Sequence, residues 1–268
     1  MTAGLVSYAR ISARGIVQGG ASVGASLWRE ASWPELGAPA GEGLPALKGR
    51  YFSATPSPRF GRMDELCKLA LAAAELCLAG VGLPRPDEVA LVGGSMLGCL
   101  EVDGQYHDTL LKGGPQGASP ALFVYTLPSM FLGEIAIRFG LRGRTSLIGT
   151  GVTSALAALA NAVRLVERGR APSALAVGVE AVGAFAGELD LHVRGTSGAS
   201  AWLLSAEDGG LARMGDVRYG DAAGRTLAAG PEGYGLTYVD ALEQALRERH
   251  VGRVVCGEGM QAVSLALE

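Results

Sequence analysis

The sequence predicts a layered α/β fold, with helices packed around a largely buried β-sheet. Two observations carry this. Short, continuously apolar runs at 89–93 and 174–179 have the character of strands buried on both faces. Between and around them lie helical stretches of ten residues or more, the order expected of an α/β layer and not of a barrel of short strands. Taken in order, residues 4–13 read as a first strand, followed by an irregular Gly-, Pro- and Ala-rich stretch through residue 58. Residues 62–80 predict a helix: Met63, Leu66, Leu69, Ala70, Ala73, Leu76 and Cys77 fall on one stripe, and Gly80 ends it. After the strand at 89–93, residues 97–111 mix apolar and acidic side chains and read as helical up to the break at Gly113-Gly114-Pro115. Ser119-Pro120 opens an extended or turning piece. Residues 128–139 predict a helix with Pro128 at its start and Gly140 at its end. A short strand at 144–149, an Ala/Leu-rich helix at 153–168 stopped by Gly169, and the strand at 174–179 follow. Strands at 199–205 and 212–219, a helix at 238–249 and a strand at 251–256 complete the pattern. Neither a short repeat nor a linker interrupts it, so residues 1–268 are expected to form a single domain.

Composition narrows the function. Hydrophobic residues make up 49% of the chain, charged residues 18%, and the net charge is −3. That balance fits a packed core and opposes disorder. Lys and Arg are scattered, without the basic stripe that nucleic-acid binding would need. The cysteines (Cys67, Cys77, Cys99, Cys256) have no CxxC spacing, and the histidines are His107, His192 and His250, so neither a zinc site nor any other cofactor is expected. No window of roughly 18 unbroken apolar residues predicts a membrane span, and no targeting segment is evident. A cytoplasmic protein is the expectation.

One unit has the shape of a nucleophile turn: the strand, turn and helix start running from Ser146 through Gly149-Thr150-Gly151-Val152-Thr153-Ser154-Ala155. A side chain on such a turn projects at a helix N-terminus, where free N–H groups and the dipole favour a thiolate or an oxyanion. The tip is Val152, which offers no nucleophilic atom. Thr150, Thr153 and Ser154 are explained by capping and turn hydrogen bonds. Gly93-Gly94-Ser95-Met96-Leu97-Gly98 lacks the GxGxxG order of a nucleotide loop and predicts close backbone packing instead.

A set of ordered motifs is similar to the β-ketoacyl synthases of fatty-acid and polyketide assembly. These are Arg62-Met63-Asp64, the run from Leu110 through Gly113-Gly114-Pro115 to Ser119-Pro120, Leu127-Pro128-Ser129-Met130, the run from Gly133-Glu134 through Gly140-Leu141-Arg142-Gly143, and Gly178-Val179-Glu180-Ala181. The resemblance covers residues 60–205 and weakens on either side. It implies a thiolase-like layered fold, helices around mixed β-sheets, with the second half of that fold incomplete. The family's acyl-accepting cysteine maps onto Val152. Its first histidine falls at Gly257, in the stretch 254–259, and its second beyond the last residue. The family's Arg-Pro-Phe-Asp stretch is replaced by Leu191-His192-Val193-Arg194-Gly195-Thr196. A valine and a glycine supply no atom for a nucleophile or a general base.

The resemblance therefore implies a non-catalytic subunit of the chain-length-factor type. Such a subunit pairs as a heterodimer with an active β-ketoacyl synthase, meets acyl carrier protein through that complex, and shapes the acyl tunnel of a type II, aryl-polyene-like system. Leu100, Phe123, Tyr125, Met130 and Phe131 are the expected tunnel or interface residues, Phe131 also fitting ordinary core packing. Residues 146–149 are expected to form a central strand, buried on both faces, that pairs across the dimer. Glu180 is expected to be structural. Two alternatives stay open: an acyl-transfer or thioester-hydrolysing enzyme on the same fold using Ser154, Cys99 or Cys256, and a homodimeric scaffold or binding protein.

Overall fold

The first residues build a sheet from the chain's own middle. In the computed structural model, which describes residues 2–21, 27–39, 41, 43–83, 85–188, 195–207, 210–220, 223–227, 234–257 and 262–268, strand β1 (Ala3–Ser12) turns back antiparallel into β2 (Gly15–Gly20), and β2 pairs with β3 (Trp28–Ala31). The sequence expectation of an irregular stretch up to residue 58 is corrected here. Glycine inside a strand weakens the periodic signal, yet Gly19 is where the Trp28 ring lies, 2.8 Å from any Cβ that position could carry.

Helix α1 (Glu65–Leu78) begins where Asp64 caps it, its carboxylate accepting the Cys67 N–H at 3.1 Å. Strand β4 (Ala90–Gly94) is buried throughout. Helix α2 (Leu100–Gly113) and the short helix α3 (Pro120–Phe123) follow, the latter capped by the Ser119 hydroxyl. Helix α4 (Met130–Phe139) ends at Gly140, whose φ of 67° closes it in the left-handed region. Strand β5 (Thr145–Ile148), helix α5 (Ser154–Glu167), strand β6 (Ser173–Glu180), helix α6 (Ala184–Glu188) and strand β7 (Gly198–Ser205) complete the central layer. Beyond them come β8 (Ala212–Tyr219), β9 (Arg225–Thr226), α7 (Val239–Arg247), β10 (Gly252–Cys256) and β11 (Val263–Leu267). Besides β2 and β3, the sequence pattern does not mark α3, α6, β9 and β11 as separate elements, and α3, α6 and β9 are very short.

The main path of the mixed sheet runs β5-β4-β6-β7-β1-β8-β11-β10-β9. Strands β5, β4 and β6 are parallel, and the sheet turns antiparallel from β6 onward until β9 joins β10 in parallel. Helices α1 and α4 cover one face over Leu69, Leu91, Leu132, Ile135 and Val177. Helices α5 and α7 cover the other, over Tyr8, Val92, Leu159, Trp202 and Val254.

Strand β5 stands at one edge of this chain's own sheet, where a strand expected to pair across a dimer must lie: Thr145 and Ser146 are exposed, and Leu147 and Ile148 are half-buried. The Arg144 and Ile148 carbonyls accept the Leu91 and Ser95 N–H groups. By the alternation of a strand, the amide groups of Thr145 and Leu147 face outward, with no neighbouring strand among the described residues.

Candidate functional site

The parallel strands β5, β4 and β6 end together, and α5 starts above them. The close fit requires glycine: a Cβ on Gly94 would lie 2.2 Å from the Ser154 carbonyl oxygen, and one on Gly178 2.3 Å from the Ala155 Cβ. The Gly-Gly-Ser run that closes β4 is thus a packing feature, as the sequence suggests.

Val152 sits half-buried on the turn into α5, between Gly151, held at φ 64°, and the N-cap Thr153. The neighbouring hydroxyls are committed to the turn. Ser154 Oγ donates to the Gly151 carbonyl at 2.6 Å and accepts the Thr150 N–H at 3.0 Å, while Thr153 Oγ1 donates to the Thr150 carbonyl at 3.1 Å. Ser154 is fully buried.

The thiols are no better placed for attack. Cys99 Sγ donates to Asp103 Oδ2 at 3.0 Å or to the Thr126 carbonyl at 3.2 Å, and burial, reinforced by the Asp103 carboxylate, pushes its pKa up to about 12. Cys256 is fully buried, and burial alone raises its thiol far above the ordinary range. A thiol held protonated is a poor nucleophile. Gly257, beside it, has φ 85°, a backbone that an L-residue such as histidine rarely adopts. Of the stretch 254–259, residues 258 and 259 lie outside the described residues, as does His192.

At the floor of the site stands Glu180, fully buried at the end of β6. Its carboxylate accepts the N–H groups of Met96 and Leu97, the latter at 3.0 Å, and the Ser95 hydroxyl at 3.2 Å. The Gly235 N–H also donates to it. Ser95 Oγ in turn accepts the Gly98 N–H at 2.8 Å. One carboxylate therefore ties β6 to the β4–α2 connection and to the turn at 234–236. Burial drives its pKa up to about 7, against the pull of those hydrogen bonds.

The five expected wall residues do not share one chamber. Phe131 is fully buried in the α1–α4 core, its ring 2.6 Å from where a Gly93 Cβ would be. Met130 and Tyr125 pack against the same core from its rim. Leu100 is half-buried at the start of α2. Phe123 points to solvent, 60% exposed, with its ring 5.6 Å from that of Tyr106. Of the five, only Tyr125 borders a cavity of about 370 Å³ between α1, α2 and α3, and Arg62, Asp64, Glu65, Lys68 and Glu101 make that cavity charged.

What sequence reasoning missed is that, like Phe123, the side chains of Leu111, Val124 and Leu127 on and after α2 and α3 are substantially exposed. A sequence pattern does not separate an exposed leucine from a buried one.

Comparison with known proteins places this arrangement. The model of the β-ketoacyl synthase N-terminal domain matches residues 47–200. The chain belongs to the β-ketoacyl synthase family. Among curated members, it is 32% identical over 123 residues to 3-oxoacyl-[acyl-carrier-protein] synthase 2 of Vibrio cholerae, covering 44% of this chain and 30% of that protein. The same enzyme of Synechocystis is 29% identical over 124 residues, covering 45% and 30%. The chain thus aligns with under a third of the length of these relatives. Among solved structures, the ishigamide ketosynthase/chain length factor superposes with a TM-score of 0.73 at 18% identity, covering 100% of this chain and 99% of that one. A ketosynthase in complex with its chain length factor from Xenorhabdus doucetiae gives a TM-score of 0.62 at 18% identity, with 99% of each chain covered. The thiolase-like fold of this ketosynthase relative is established by these matches.

Proposed function

We propose that this chain is a non-catalytic, chain-length-factor-type subunit that pairs with an active β-ketoacyl synthase and helps to shape its acyl tunnel. The observation that carries the reading is the turn into α5. There a strand, a tight turn and a helix start are packed closely, with Gly94 on the Ser154 carbonyl, but the residue at the turn is Val152. The adjacent hydroxyls are spent on the turn, and the thiols of Cys99 and Cys256 are held protonated. A preserved scaffold without a nucleophile is useful for its shape.

The open edge of β5 supports pairing. Outward amides at Thr145 and Leu147 offer a strand partner, and the exposed side chains of Leu111, Phe123, Val124 and Leu127 offer apolar area beside α2 and α3. An interface of this kind is of the large, obligate class, roughly 2,000 Å² or more. On this reading the substrates are acyl chains carried on acyl carrier protein, in a type II polyketide or fatty-acid system of the aryl-polyene kind. The chain meets the carrier only through the complex.

Co-expression with an active ketosynthase tests it. A stable one-to-one complex, and no malonyl decarboxylation or condensation by this chain alone, is the expected result. A monomer that persists at micromolar concentration with the ketosynthase present would overturn it.

A further inference from the structure

A second polar centre lies between the N-terminal strands and α7. Alternation along β1 places Tyr8 and Arg10 on the face covered by α7. Arg10 Nε donates to Glu243 Oε2 at 2.8 Å, and Arg10 also pairs closely with Asp240. The Tyr8 hydroxyl donates to the same Glu243 oxygen at 3.0 Å. The other Glu243 oxygen pairs with Arg247 Nη2 at 2.9 Å, and Arg247 Nη1 reaches Glu30 on β3 at 2.5 Å. The Arg247 guanidinium lies 4.8 Å over the Trp28 ring, which stands 6.0 Å edge-on to Tyr8.

Arg10 is 8% exposed and Glu243 6%. Charges taken that far out of water are costly to leave unpaired, so each member depends on the others. Every one of these side chains lies outside the family-matched segment 47–200. The two stretches of chain that flank that segment are therefore fastened to each other by charge.

We propose that this cluster is an ionic clamp that makes the β2–β3 hairpin and α7 open and close as one cooperative unit. Glu243 is its hub, because both arginines and Tyr8 converge on its two oxygens.

Hydrogen exchange on the full chain tests this. In Glu243→Gln, exchange at residues 16–20, 28–31 and 239–247 should quicken together, by about tenfold or more, while α1 and α4 keep their protection. Uniform loss across the chain, or loss confined to α7, would overturn the proposal. Glu30→Gln removes only the exposed rim of the cluster and should fold whatever the fate of the first variant. It should raise exchange in both β3 and α7, by about threefold. An effect confined to β3 would equally overturn it.

Discussion

Glu180 offers a prediction whose size can be worked from its surroundings. Its carboxyl is fully buried and stands at about 7 in the fold, against an ordinary value of 4.5. The folded protein therefore holds this proton over a window in which the unfolded chain has released it. The stabilisation is present in full below pH 4.5 and is lost as pH rises through 7, a change of about 3 kcal/mol. Glu180→Gln has no proton to lose. At pH 5 the protonated carboxyl brings one donor to a site that otherwise offers it the N–H groups of Met96, Leu97 and Gly235, whereas the amide brings two, so the variant should be the less stable protein there. Between pH 5 and pH 8 the advantage of the wild type over the variant should shrink by about 2 to 3 kcal/mol. Urea unfolding of both proteins at the two pH values measures it. Stability profiles that run parallel from pH 5 to pH 8 would refute the reasoning, since Glu180 would then titrate alike in the folded and unfolded chains.

Val152→Cys should not confer condensation, because Gly257 stands where the resemblance puts the family's first histidine; radiolabelled malonyl-carrier assays measure it. In the assembled complex, where the proposed interface would cover Phe123 and bound the tunnel, Leu100→Ala and Phe123→Ala should lengthen the carrier-bound products without abolishing turnover, each methylene accommodated being worth about 0.8 kcal/mol. Mass-spectrometric sizing reads that change, and an unaltered distribution in both variants would leave the chain a scaffold. Gly94→Ala should cost about 3 kcal/mol or more, since the Ser154 carbonyl 2.2 Å away is backbone and cannot move aside. A melting temperature within about two degrees of wild type would contradict it.

Much of the central layer was legible because its signals are local. An apolar stripe marks α1, Gly140 and Gly169 stop α4 and α5, and unbroken apolar runs mark β4 and β6. The nucleophile turn was legible as a strand-to-helix unit with a valine at its tip, and the Ser154 and Thr153 hydroxyls bond within the turn as that unit requires. Elsewhere the deciding contact is distant in sequence. Nothing local marks β2, where Gly19 exists to receive Trp28, or shows that Tyr8, Arg10 and Glu243 will meet. Nor does a short apolar strand such as β5 show whether its second neighbour comes from its own chain or from another.

The central claim is that this chain supports acyl chemistry without carrying the acyl group. Intact-mass spectrometry of the co-purified pair, after exposure to acyl-carrier substrate, tests that most directly. The account predicts a one-to-one complex in which the partner ketosynthase gains the acyl mass and this chain keeps its own. An acyl adduct on this chain, whether at Ser154, Cys99, Cys256 or elsewhere, would contradict it.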